Sequence, residues 1–353
     1  MNGCDLPVVI NSGSGNQGQF PFSVWIRLQR EVILDYGQKL LLPMDSRGAL
    51  EARQAIARSL SDFRGMDVDP ENILLGAGTD FLYNLLLQLL GQDKVYAVED
   101  PGYGKIRKIY AAGGVTCLSV PMDASGIRPD CLGDARVLHL SPAHHFPTGL
   151  VTPLHRRRAL IDWAQRVDGF IIEDDYDTEF RFQGRPLAPM QTMDPERVIY
   201  MNTFSKTLSP SIRISYMVLP QALMARFREK LGFSDLYTLA YFLDRGYFEK
   251  HINRMRKFYR ARRNRVIAML ERCPAADKLT ILEQDAGLHF LLKVETALDD
   301  RALTALFAQS GLHVQPLSSF HTHPTEDCRG MLVINYSAVD ERALEEGLGK
   351  LEI

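Results

Sequence analysis

Apolar residues recur at helical spacing through RGALEARQAIARSLS, residues 47–61. The next stretch, DPENILLGAGTDFLYNLLLQLLG, runs from a short apolar strand through a glycine turn into a second helix. KVYAVEDPGYG then reads as a strand ending in a turn, and ARVLHLSPAHHFPTG as another. LHRRRALIDWAQRV follows as a helix, and GFIIEDDYDTEF and RVIYMNTFSK as two further strands with polar ends. Short buried strands alternating with helices predict an α/β fold, a mostly parallel doubly wound sheet with helices on both faces. Around residues 246–272 the pattern changes to one long helix, GYFEKHINRMRKFYRARRNRVIAMLER. Strands and helices resume after it in GLHFLLKV, HVQPLSS and GMLVINYS, so the helix is expected to lead into a second, smaller lobe.

At 353 residues the chain is too long for one small core, and 46% hydrophobic with 24% charged residues is ordinary for a packed α/β protein. A formal charge of -2 gives no global field that attracts nucleic acid or an anionic membrane. The segment RMRKFYRARRNR is strongly basic, but neighbouring acidic surface makes it a solvated helix between lobes. Direct nucleic-acid binding is therefore not expected. Cys4, Cys117, Cys131, Cys273 and Cys328 are scattered, odd in number and form no C-x-x-C pair. That argues against a disulfide framework and a zinc site, and a cytoplasmic location is expected. No window approaches the roughly 20 apolar residues of a membrane span, and MNGCDLPVVINSGSG lacks a leader's basic and apolar regions. His144-His145 and His321-Thr322-His323 have no carboxylate or cysteine spacing to make a metal site of them.

In open α/β sheets ligands bind beyond the carboxyl ends of the strands, where loops converge and helix N-termini present free N–H groups. Those ends hold the chemistry of this chain. GFII ends in Glu173-Asp174-Asp175-Tyr176-Asp177, and VIYMN ends in Thr203, Ser205 and Lys206. VYAV ends in Glu99-Asp100-Pro101-Gly102-Tyr103, and the Gly76-Ala77-Gly78-Thr79 turn opens a helix. Carboxylates, an amine, an aromatic ring and an anion cradle are what pyridoxal 5'-phosphate requires: imine formation, a partner for its pyridine nitrogen, stacking and phosphate donors.

With "EDPGY", "P-x-H-x-x-PTG", "IIEDDYDTEF" and "TFSKTLSPSIRISY" in this order, the sequence resembles the fold-type I, PLP-dependent aminotransferases of class I/II. It is most similar to the aminotransferase-like domain of the MocR-type regulators. The resemblance spans nearly the whole chain, and the winged-helix DNA-binding domain of such regulators is not expected within these 353 residues. It implies a large PLP-binding domain over residues 46–245, and a connecting helix with a small C-terminal domain over 246–353. Residues 1–45 are implied to form an N-terminal segment packed on the small domain and a dimer partner.

The resemblance also assigns roles. Lys206 is the implied Schiff-base lysine, Asp174 pairs with the pyridine nitrogen, Tyr176 bonds the phenolic oxygen, and Tyr103 stacks on the ring. Gly78, Thr79, Thr203, Ser205 and Arg213 serve the phosphate, with Tyr36 reaching it from the partner of a homodimer. The sequence departs from the family at two places. Val333, in Val333-Ile334-Asn335-Tyr336-Ser337, stands where relatives carry the arginine that grips a substrate carboxylate. Phe146 stands where most carry the asparagine of "NPTG". Another cation, Lys105, Arg107 or Arg329, then holds that carboxylate, or the ligand lacks one. Two functions follow: an aminotransferase acting on an amino donor and a 2-oxo acid, or a PLP-holding effector domain with little turnover.

Overall fold

The protein is described by a computed structural model covering residues 8–9, 20–41, 45–180, 187–209, 211–227, 242–282, 287–322, 324–337 and 339–353. Cys4 and His323 lie outside these residues. An eight-stranded sheet fills the first two thirds of the chain. It comprises β2 (Ile73–Gly76), β3 (Tyr96–Asp100), β4 (Cys117–Asp123), β5 (Gly126–Ile127), β6 (Val137–Leu140), β7 (Phe170–Asp174), β8 (Val198–Thr203) and β9 (Ser215–Val218), in the order β2-β9-β8-β7-β6-β3-β4-β5. The pairs β4–β3, β3–β6, β6–β7 and β7–β8 are parallel.

Strand periodicity explains the layers, because successive side chains leave opposite faces of a sheet. Val98, Ile172 and Ile199 face a core with Leu82, Leu85, Leu86 and Leu89 of α3 (Thr79–Leu90). Their neighbours Ala97, Ile171 and Val198 face the other side, against Leu160, Trp163 and Ala164 of α5 (Leu154–Arg166). Every residue of β6 and β8 is buried, as strands covered on both faces must be. Each large aliphatic side chain buried this way contributes roughly 1.5–3 kcal/mol.

The sheet is mixed at one side. After the four-residue helix α6 (Phe204–Thr207) the chain returns at once as β9, antiparallel to β8, and β2 pairs antiparallel with β9. So short a return has no room for the long crossover that a parallel pair requires. Two reversals point β2 the same way as β8, so the turn after Gly76 opens at the edge where β3, β6, β7 and β8 end.

The 26-residue helix α8 (Tyr247–Arg272) leads to a second, antiparallel sheet. Its strands β10 (Leu279–Leu282), β11 (His289–Val294), β13 (Gln315–Pro316) and β14 (Met331–Asn335) are ordered β10-β11-β14-β13. Phe290, Leu292, Leu332 and Ile334 pack with Met255, Tyr259 and Val266 of α8 into one core. The alternate residues Leu291 and Val333, paired in register, turn to the other face and meet Leu317 and Phe146. Near the start of the chain, β1 (Val8–Val9) pairs in parallel with β12 (Leu312–His313). The basic side of α8 is largely committed to the protein: Arg256 donates to the Glu179 carbonyl, Arg262 to the carbonyls of Ser337 and Val339, and Arg265 to Glu341. Among the described residues no helix is long and apolar enough to cross a membrane.

Candidate active site

A cleft of about 340 Å³ opens where the parallel strands end. Eight of the ten residues singled out in the sequence line it: Thr79, Tyr103, Asp174, Tyr176, Thr203, Ser205, Lys206 and Arg213. Gly78 stands directly before Thr79 as the cap of α3, and Tyr36, the last residue of helix α1 (Phe22–Tyr36), is not among the lining residues of its own chain.

Asp174 ends β7 with its two oxygens in different situations. Oδ2 accepts the Tyr83 hydroxyl at 2.5 Å and has His139 Nε2 at 3.5 Å. Oδ1 is buried and has no hydrogen-bond partner among the described residues. A buried acceptor left unpaired is costly, and it fits a ligand that brings an N–H donor. Asp175 does not line the cleft: its Oδ2 takes Arg64 Nη2 at 2.7 Å and the Tyr200 hydroxyl at 2.6 Å, while its Oδ1 is buried and likewise without a hydrogen-bond partner among the described residues.

Lys206 follows β8 on α6. Burial pulls its ammonium below the usual lysine range, and the nearby charge of Asp177 works the other way. A larger neutral fraction at ordinary pH makes the amine more nucleophilic. Tyr103, after β3, keeps 47% of its surface exposed, so one ring face is open to a flat ligand.

The anion cradle depends on two unusual backbones. Gly78 has φ +94°, and a Cβ there would lie 2.5 Å from Arg213 Nη2, so only glycine lets the guanidinium reach the N-terminus of α3. Arg213 itself has φ +52°, a left-handed conformation costing a non-glycine residue roughly 1–2 kcal/mol. The Thr203 hydroxyl is used locally: it caps α6 by accepting the Ser205 N–H and receives the Ser215 hydroxyl at 2.9 Å.

Tyr83, His139 and Asp80 of the site were not singled out in the sequence, and Glu99 was named there only as a strand end without a role. Tyr83 lies one helical turn after Thr79, on the same face of α3, and His139 occupies an inner position of β6. Glu99 is pushed up to about 8 by burial, against the Ser141 N–H it accepts, with the charge of Asp174 adding to the rise. Asp80 sits between two cations, 2.6 Å from Lys105 Nζ and 3.9 Å from Arg213 Nη2.

Below the cleft, His144 Nδ1 lies 3.0 Å from both oxygens of Asp177 and 3.4 Å from the Tyr176 hydroxyl. His289, from the second sheet, packs on His144 with ring centroids 4.7 Å apart, and burial holds it well below its usual range. Gly287, at φ +68°, brings its backbone against the His144 ring, where a Cβ would be only 1.8 Å away.

A doubly wound sheet carrying a lysine, an aspartate and an anion cradle at its strand ends, followed by a smaller antiparallel sheet, defines the fold-type I architecture of PLP-dependent transferases. The aminotransferase class I and II profile matches residues 7–351, and the chain belongs to that family. It is 34% identical over 351 residues to the uncharacterized HTH-type transcriptional regulator YdeL of Bacillus subtilis (strain 168), covering 96% of this chain and 75% of that protein. It is 32% identical over 345 residues to the probable rhizopine catabolism regulatory protein MocR of Rhizobium meliloti, covering 94% of this chain and 69% of that one. Among solved structures, the kynurenine aminotransferase of Pyrococcus horikoshii superposes with a TM-score of 0.84 at 23% identity, covering 98% of this chain and 89% of that chain. At that identity the likeness speaks for the fold.

Proposed function

We propose that this chain binds pyridoxal 5'-phosphate on Lys206 and acts as an aminotransferase between an amino donor and a 2-oxo acid. The observation that carries the reading is the unpartnered Oδ1 of Asp174 in the same cleft as the half-buried amine of Lys206. Bound pyridoxal phosphate supplies an aldehyde for amine exchange and a ring that absorbs the electron pair left when the donor's amino carbon loses its proton. The rest is done by the chain. Lys206 holds the cofactor and moves the proton at the donor carbon. Asp174 keeps the pyridine nitrogen protonated, itself fixed by the Tyr83 hydroxyl with His139 close beside it. Tyr103 covers one ring face and Tyr176 donates to the phenolic oxygen. Gly78, Thr79, Ser205 and Arg213, with Thr203 beneath them, hold the phosphate at the start of α3.

Residues 46–245 serve in this reading as the cofactor domain and 246–353 as the smaller domain, with residues 1–45 reaching a second copy. The scattered cysteines suit a reducing cytoplasm. Tyr36 completes the phosphate site of the partner, so the active form is a homodimer. Sedimentation of the loaded protein is expected to show a dimer, and a fully active monomer at working concentration would sink this part.

Reduction with borohydride in the presence of pyridoxal phosphate is expected to fix the cofactor on the peptide holding Lys206, and Lys206→Ala to abolish that label. Fixation at normal yield in the variant defeats the proposal. A second reading, an effector domain that holds the cofactor and senses a ligand with little turnover, is favoured by the similarity to HTH-type regulators. Single-turnover spectra with a panel of amines and amino acids separate the two, because only the enzyme leaves the aminated cofactor behind.

A further inference from the structure

We infer that Arg107 is the anion anchor of the cleft, holding the acidic group of an amine ligand in place of the arginine displaced by Val333. The inference rests on the reading of Lys206 as the cofactor lysine.

Val333 is fully buried, and Leu291, Leu317, Phe146, Phe320 and Met331 pack around it. A carboxylate seated there loses its hydration and gains no donor. An acidic ligand must therefore meet a cation elsewhere on the cleft wall. Lys105 is held by Asp80 at 2.6 Å. Arg213 lies against Gly78 at the start of α3, with the same Asp80 oxygen 3.9 Å away. Arg329 does not line the cleft and donates to the carbonyls of Ala297 at 2.6 Å and Leu298 at 3.4 Å.

Arg107, on α4 (Gly104–Ala112), is different. It lines the cleft, and its Nη1 is buried with no hydrogen-bond partner among the described residues. Its Nη2 makes one long bond, 3.4 Å, to the carbonyl of Phe320. The charge facing Nη1 is Asp100 Oδ1 at 3.9 Å, beyond hydrogen-bond reach, and that oxygen already accepts the Thr322 N–H at 2.8 Å. The other titratable neighbours are His321, whose Nδ1 lies 4.0 Å from the same oxygen, and the thiol of Cys117. A guanidinium with a free buried N–H is matched by a carboxylate, which takes two parallel bonds from its planar fork. Phe320 belongs to the apolar group around Val333. Through Phe320, Arg107 thus reaches the rim of the patch where the family's arginine is missing. The ligand class that fits is an amine with an apolar body and one carboxylate.

The experiment uses full-length protein loaded with pyridoxal phosphate and follows the cofactor's visible absorbance. Straight-chain amino acids of three to six carbons are titrated, each against the amine that lacks its carboxyl group. The best acid is expected to bind at least ~10-fold tighter than its amine, the value of one charge-assisted contact. Arg107→Gln is expected to bring the acid down to the affinity of its amine, Arg107→Lys to keep part of the difference, and Lys105→Gln and Arg329→Gln to keep it whole. Equal binding of acid and amine by the unaltered protein overturns the assignment of Arg107, as does loss of the preference in Lys105→Gln but not in Arg107→Gln. A protein that takes up no cofactor overturns the parent reading, and this one with it.

Discussion

Asp174→Ala is expected to lower turnover on the order of a thousandfold while leaving the cofactor fixable on Lys206. In the proposed reading the carboxylate partners the pyridine nitrogen of the bound cofactor, and groups that stabilise developing charge in a closed site are among the largest single contributors to rate. Its buried setting makes the loss specific, because Tyr83, which bonds the carboxylate, and His139, 3.5 Å from it, carry no negative charge to replace it. Asp175→Ala gives the contrast. It removes the partner of the buried Arg64, 2.7 Å away, and should cost about 3–5 kcal/mol of stability rather than the chemistry. Steady-state rates and thermal unfolding of the two variants decide the matter. Near-normal turnover in Asp174→Ala together with an inactive, stable Asp175→Ala reverses the assignment.

Common α-amino acids are expected to be poor donors, roughly a hundredfold or more below what an arginine at position 333 permits in kcat/KM. The family's grip on the α-carboxylate is a bidentate guanidinium, and Val333 supplies only methyl groups, sealed behind Leu291 and Leu317. An α-carboxylate closed against that surface, away from Arg107 at its rim, has no ion pair there and costs several kcal/mol, and each 1.36 kcal/mol in the barrier is tenfold in rate. Phe146 compounds the loss, since its ring packs with His289 and Phe320 at 5.1 Å and offers no hydrogen bond. Aspartate, glutamate and alanine at millimolar concentration are the direct assay. Rapid transamination of any of them removes the argument.

The parallel part of the main sheet was legible because buried strands are short, apolar and bounded by turns. β3, β6, β7 and β8 fall where KVYAVED, ARVLHL, GFIIED and RVIYMN place them. The antiparallel return through β9 was not, since Ser215–Val218 follows Lys206 so closely that it reads as part of one motif. The site was legible where chemistry clusters in sequence, as in the stretches around Asp174 and Lys206. It was not legible where a side chain arrives from the middle of an element. Tyr83 and His139 look like core residues, and only the fold reveals that both touch the same carboxylate oxygen. The choice among Lys105, Arg107 and Arg329 was equally closed to sequence, because it depends on which cations the protein has already engaged.

Gly287 bears on anyone who wishes to redesign this scaffold. Its α-carbon rests on the His144 ring with no space for even a methyl group, and His289, two residues on, packs at a tilt against the same ring. The second sheet is therefore not a detachable module that can be swapped for one of different specificity. A transplanted sheet must carry a glycine and an imidazole at these two places, or the floor under Tyr176 and Lys206 is rebuilt along with the pocket above it.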